Sequence, residues 1–206
     1  MSAGNEFRIE SATERDVPVI LKFIKALAEY EKLSHEVIAT EESLRESLFG
    51  PRPSAEVVLG YAGAEPAGFA VFFHNYSTFL GRPGLYPVPQ NAPHVSAGMN
   101  VLNLPEGQSP KATDVSPWYG VYVEDLFVSP EWRGRGLGRR LLAFVADLAV
   151  KRRCGRLEWA VLDWNEPAIR FYESLEAQRM EEWTVYRLTG DALKRLATEF
   201  EVGKPT

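Results

Sequence analysis

Apolar positions near the start of the chain recur first at every second place and then at every third or fourth. Phe7 and Ile9 alternate with polar residues as in a short strand, whereas Val17, Ile20, Leu21, Ile24, Leu27 and Ala28 fall on one helical face. Thr13 and Asp16, three apart, give that helix a capping-box start. Thr40 caps a second helix carrying Leu44 and Leu48, which Gly50-Pro51-Arg52-Pro53 stops. Two β-rich runs, Glu56 to Ala62 and Ala67 to Tyr76, flank Gly63-Ala64-Glu65-Pro66 and predict a hairpin. From about Pro87 to Gly120 the period is lost among scattered Pro, Gly, Asn and Ser, which predicts a surface insertion. At ~34 residues it is long for a structureless loop in a compact domain.

Order returns at Val121 to Val128, a strand that Ser129-Pro130 ends. Leu137, Leu141, Leu142, Val145, Leu148 and Ala149 then mark an amphipathic helix, with Lys151, Arg152 and Arg153 at its C-terminal end, where cations complement the dipole. Leu157, Trp159 and Val161 alternate as a strand, and Asn165 caps a short helix with Pro167 in its first turn, running to about Leu175. Trp183 to Leu188 predicts a last strand and Thr189 to Phe200 a C-terminal helix. The order β-α-α-β-β-β-α-β-α-β predicts a single α/β domain over residues 1–206 with a mixed sheet.

Composition narrows the chemistry. The 206 residues are 45% hydrophobic and 25% charged, ordinary globular values. A net charge of −5 opposes a nucleic-acid surface and suits a small cationic substrate. Cys154 has no cysteine to pair with, and His35, His74 and His94 lack the spacing of a zinc site, so no metal is expected. Met1 to Glu10 has no apolar core of a signal peptide, and no stretch approaches the ~18 apolar residues that span a bilayer. The expectation is a cytoplasmic protein without a membrane partner.

A strand, a glycine-rich turn and a helix start follow one another through Val121 to Leu142, with glycines at 134, 136 and 138. The unpaired first amides of a helix, and its positive N-terminal end, favour an anion there, and Arg133, Arg135 and Arg139 can add charge-assisted bonds to phosphate. The dinucleotide fingerprint G-x-G-x-x-G fails because position 139 is Arg, and the nucleoside-triphosphate loop G-x-x-x-x-G-K-[ST] is absent. The plain alternative is a turn with solvated arginines.

Arg133-Gly134-Arg135-Gly136-Leu137-Gly138, following Val123-Glu124-Asp125-Leu126-Phe127-Val128, resembles the acetyl-CoA motif of the GNAT superfamily of N-acetyltransferases. Ala160-Val161-Leu162-Asp163-Trp164-Asn165-Glu166-Pro167-Ala168 and Phe171-Tyr172-Glu173 strengthen the resemblance. Glu29-Tyr30-Glu31-Lys32-Leu33 and Glu36-Val37-Ile38 are similar to the matching stretch of the diamine (spermidine/spermine) N1-acetyltransferases. The similarity covers roughly residues 6 to 86 and 121 to 197. It implies an α/β (α+β) GNAT fold, a mostly antiparallel sheet with one splayed pair of strands and helices on both faces. It implies acetyl-CoA as co-substrate, with the amides of Leu126, Phe127 and Val128 on the pantetheine. Arg133, Gly134, Arg135, Gly136, Leu137, Gly138 and Arg139 would hold the pyrophosphate, and Asn165, Glu166, Pro167 and Ala168 would complete the cofactor site. Tyr30, Glu31, Glu124, Glu158, Trp159 and Ala160 would line the acceptor side, and Tyr172 would be the general acid. A homodimer is implied as well, and the aromatic Trp183 and Tyr186 would need covering.

The chemistry asks for these residue types on its own account. An alkylammonium of pKa about 10.4 must lose a proton before it can attack a thioester. Glu124 is the candidate acceptor, with Asp125 expected on the opposite face because strand side chains alternate. The departing thiolate wants a proton from an acid of comparable pKa, which a tyrosine supplies. Without the resemblance, Tyr172 beside Phe171 reads as a core aromatic, Glu124 and Glu31 as solvated carboxylates, and Cys154 as inert packing.

Where the polyamine enzymes carry an Asp after the third strand, this chain has Ser77, so a partner for a second cationic centre is missing. His74-Asn75-Tyr76-Ser77-Thr78-Phe79 with Ala160 to Asn165 resembles the branch that acetylates thialysine and related lysine-like amines. The expected activity is therefore N-acetylation of a small amine. The alternatives are polyamine acetylation, acetylation of protein lysines or N-termini, and a non-catalytic acetyl-CoA-binding module. Glu176 stands where the family usually has Gly, so the same turn would force Glu176 to positive φ.

Overall fold

Phe7, Ile9 and the β-branched runs that follow build one sheet. The computed structural model describes residues 7–77, 82–83, 119–152 and 154–202, so the predicted 87–120 insertion lies almost wholly outside the described residues. The strands are β1 (Phe7–Ser11), β2 (Glu56–Ala62), β3 (Glu65–Ser77), β4 (Arg82–Pro83), β5 (Tyr119–Val128) and β6 (Cys154–Trp159). The helices are α1 (Val17–Tyr30), α2 (Glu41–Phe49), α3 (Leu137–Lys151), α4 (Glu166–Glu173) and α5 (Gly190–Val202). The chain divides into two compact units, residues 1–160 and 161–206.

In the first unit the strand order is β1-β2-β3-β5-β6, with the two-residue β4 on β3. All pairings are antiparallel except β5 with β6. β2 is buried through Val57, Val58, Leu59 and Gly60, as a central strand covered on both faces must be. On one face Ile20 and Phe23 of α1 pack on Val57, Leu59, Phe69 and Phe127, with the Phe23 and Phe69 rings stacked at 5.5 Å. Each such aromatic side chain contributes about 1.5–3 kcal/mol through burial. On α3, Leu137, Leu141, Leu142, Val145 and Ala149 are buried, matching the predicted stripe. Gly60 and Gly68 let α3 approach, since a Cβ at Gly60 would come within 2.7 Å of the Leu137 side chain.

The helix starts are those written in the sequence. Thr13 donates its amide and hydroxyl to Asp16 Oδ2, both at 2.8 Å, ahead of α1. The amide of Ser43 donates to Thr40 Oγ1 at 3.1 Å, which caps α2. Arg152, expected only to complement the dipole of α3, also ties that helix to β2 through Glu56 at 2.5 and 2.8 Å.

The second unit holds α4 and α5. The predicted strand at Trp183 to Leu188 is not formed; residues 183–189 have no regular structure. Val185 and Tyr186 are 85% and 92% exposed. Composition favours a strand there, but β-propensity is expressed only against a partner edge, and this unit contains no other strand among its described residues.

Candidate active site

β5 changes character at Glu124. Upstream, Tyr119 to Val123 pair with β6, ending at Val123 opposite Trp159; beyond that, β5 has no partner from β6. This is the splayed pair the resemblance implied. The outer edge of residues 124–128, including Leu126, Phe127 and Val128, therefore carries backbone groups outside the ladder on that side. On the β3 side, Phe72 pairs with Val123 and Val71 with Asp125, so Glu124 is the extra residue of a β-bulge.

The bulge interrupts the alternation on which the expectation for Asp125 rested. Cross-strand partners share a face, so Asp125 lies with Val71, Phe69 and Phe127, on the side that α1 covers. Tyr122 is on that same face, its ring 5.4 Å from that of Phe73, its partner on β3. Burial, then the negative charges of Glu124 and Glu31, push the Asp125 carboxyl up to about 6. Burial also raises Glu31, at the C-terminal end of α1. Tyr122 is raised by burial and then by Glu124 and Glu158. Asp125 thus lies within electrostatic reach of Glu124 and Glu31, and Tyr122 of Glu124 and Glu158, which makes the start of the splay acidic. Sequence reasoning missed Asp125, and a one-residue bulge leaves no mark in a period-two pattern.

The glycine turn has the geometry its sequence suggests. Gly134 and Gly136 have φ of 72° and 89°, with Gly136 in the N-cap position of α3. A Cβ on either would meet nothing within 4 Å, so these glycines answer a backbone requirement and leave the turn's outer side open. Leu137 anchors the turn by burial, while Arg135 and Arg139 are exposed and Gly138 lies in the first turn of α3. Arg133 is engaged with the protein. Its Nε donates to the Val128 carbonyl at 2.9 Å, and its guanidinium lies over the rings of Tyr30, at 4.5 Å, and Phe127, at 5.5 Å. Arg133 and Tyr30 thus brace the end of β5 against α1.

Glu158, Trp159 and Ala160 close the first unit. Glu158 Oε2 accepts from Asn75 Nδ2 at 2.6 Å and from Arg156 Nε at 2.9 Å, across Gly120 of the strand between them. Cys154, at the start of β6, has its thiol pushed up by burial, which suits the inert role expected of it.

Tyr172, Asn165, Glu166, Pro167 and Ala168 belong to the second unit. Asn165 is buried and its Oδ1 accepts from the Ala168 amide at 3.4 Å, with Glu166 and Pro167 opening α4. Tyr172, half-buried, is the last residue but one of α4, with its ring 5.2 Å from that of Phe171. The Tyr172 carbonyl accepts from Ala177, and that of Glu173 from Glu176, the bond pattern of a Schellman cap. Glu176 has φ 63°, as the turn demanded. Glu176→Gly should relieve strain of ~1 kcal/mol at a cost in unfolded-chain entropy, leaving a net gain of at most about 0.6 kcal/mol. Thermal denaturation should show a midpoint higher by about 2–4 °C per kcal/mol gained.

The comparisons with known proteins agree with this geometry. Residues 24–176 match the model of the acetyltransferase (GNAT) family, a match that runs through both units. An L-ornithine N5-acetyltransferase of Arabidopsis thaliana is 36% identical, over 92% of this chain and 87% of its own length. A thialysine N-epsilon-acetyltransferase of Mus musculus is 32% identical, over 92% and 96%. Among solved structures, an integron cassette protein from the mobile metagenome of V. cholerae shares the fold at a TM-score of 0.63 and 22% identity, covering 93% of this chain and 97% of its own. With the family model spanning most of the chain and its sheet, splay and glycine turn in place, the chain belongs to the GNAT acetyltransferase family and is an N-acetyltransferase of amines.

Proposed function

We propose that this enzyme moves the acetyl group of acetyl-CoA directly to the side-chain amine of a small lysine-like amino acid. The observation that carries this reading is the bulge at Glu124, which gathers Glu31, Glu124 and Asp125 beside the point where β5 leaves β6. A cationic amine is drawn to such a carboxylate group, and the names of the two relatives above specify amino acids with a side-chain amine. In the proposed step the acceptor ammonium gives a proton to Glu124, directly or through water, with Asp125 as a second acceptor beside it. The neutral nitrogen attacks the thioester carbonyl, the carbon–sulfur bond breaks, and Tyr172 protonates the departing thiolate. Leu126, Phe127 and Val128 would hold the pantetheine through the unladdered edge of β5, and Gly134 to Arg139 would hold the pyrophosphate, with Asn165 to Ala168 as further cofactor-binding residues. Arg133 would act by bracing β5. We carry the homodimer as part of the same proposal, supported by the exposed Trp183, Val185 and Tyr186. Light scattering at micromolar concentration checks it.

The deciding experiment is thiol release from acetyl-CoA with ornithine, thialysine, lysine, simple diamines, spermidine and lysine-containing peptides. The amino acids should be the best acceptors. Acetylation of peptides alone, or of none of these, would overturn the proposal.

A further inference from the structure

Among the described residues, Asn75, Arg156 and Glu158 form a polar group that the transfer step leaves without a task. Asn75 on β3 and Arg156 on β6 pair with the same residue of β5, Gly120. Glu158 pairs with Tyr122, two places further along. All three side chains therefore lie on the Tyr122 face, with Glu158 Oε2 receiving Asn75 Nδ2 and Arg156 Nε. The orientation of the amide follows from its partner, because a carboxylate oxygen at 2.6 Å accepts only from the –NH2 end. Gly120 makes the arrangement possible. A Cβ there would stand 2.3 Å from Asn75 Oδ1 and 3.0 Å from Arg156 Nε.

Arg156 uses Nε for Glu158, and its two terminal nitrogens meet no other acceptor among the described residues. Glu158 Oε1 likewise accepts from nothing among the described residues. The two side chains are 40% and 38% exposed, so a cation and an anion stand side by side with their spare atoms within reach of solvent. Two residues along a strand and one strand across separate Glu158 from Glu124 by about 8 Å of backbone. A chain of three or four methylenes covers such a gap.

We propose that Arg156 and Glu158 form the subsite for the zwitterionic end of an α-amino-acid acceptor, Arg156 binding its α-carboxylate and Glu158 its α-ammonium. This rests on the small-amine function proposed above and adds what selects among amines. A diamine of equal length has an ammonium for Glu158 but nothing for Arg156, whose charge repels it; an amino acid satisfies both.

The test compares each amino acid with the diamine that lacks only its carboxylate: ornithine with 1,4-diaminobutane, and lysine with 1,5-diaminopentane. The wild-type enzyme should have the higher kcat/KM for the amino acid in each pair. Arg156→Gln should lower that preference by about tenfold to a hundredfold, through the KM of the amino acid and not through kcat. Arg156→Lys, which keeps the charge and loses the fork, should restore part of it. Thermal melts matching the wild type establish that the variants are folded. An unchanged preference in folded Arg156→Gln, or a wild-type enzyme blind to the carboxylate, overturns the subsite while leaving small-amine acetylation intact. A wild-type enzyme that acetylates neither member of either pair overturns both.

Discussion

Tyr172→Phe should lower kcat by about a hundredfold to ten-thousandfold, the usual cost of losing a positioned acid, while the Michaelis constant for acetyl-CoA changes little. The ring can keep its place in α4, half-buried against Phe171, because the substitution removes only the hydroxyl. The hydroxyl's proposed work, giving a proton to the leaving thiolate, exists only in the transition state, so its loss belongs in kcat. Steady-state rates with a good amine acceptor, under conditions where chemistry limits turnover, are the measurement. Near wild-type kcat would mean that the thiolate leaves unprotonated or takes its proton from water.

Glu124→Gln should fail in a different way. Without the carboxylate, the reaction draws on acceptor that is already neutral, a fraction that grows about tenfold per pH unit below the amine's pKa of about 10.4. Activity at neutral pH should fall and the pH optimum should move upward. A second readout is independent of turnover. Asp125 is held up to about 6 by burial first and then by Glu124 and Glu31. A carboxyl whose folded pKa lies above its unfolded value of 3.8 contributes stability below that value, and this is lost as pH rises through about 6. Removing the Glu124 charge lowers the folded pKa of Asp125, so Glu124→Gln should lose less stability than the wild type between about pH 4 and 6. Parallel denaturation curves for the two proteins across that window would mean that Glu124 and Asp125 are not coupled.

Much of the frame was legible because independent signals coincide. In α1 the Thr13–Asp16 box and the apolar period agree, and in α3 the glycine turn meets an apolar stripe that runs to Ala149. Glu176 at positive φ was legible as well, since a cap of that shape admits one backbone conformation whatever residue fills it. What failed to show depends on neighbours remote in sequence. Nothing in the sequence around Arg133 showed that its Nε goes to Val128 and its plane lies over Tyr30 and Phe127, a fit that needs α1 and β5 already side by side. The Asn75–Glu158–Arg156 group joins positions 75, 156 and 158 over a glycine that lay at the edge of the irregular stretch. Trp183 to Leu188 misled in the opposite sense, having strand composition without a strand to pair with.

The bulge at Glu124 also divides β5 into two reading frames. Counted by twos, positions 121 and 123 share one frame, but the slip sends 125 and 127 to the other face of the sheet. The halves can therefore drift apart in sequence without one dragging the other out of phase, since a change of acceptor can be written in Gly120 and Tyr122 while Leu126 to Val128 stay as they are. A one-residue deletion of Glu124 would end that independence, since the ladder would run on unbroken as one frame, with Tyr122 still on the α1 side and the buried Val121 and Val123 still on the opposite side.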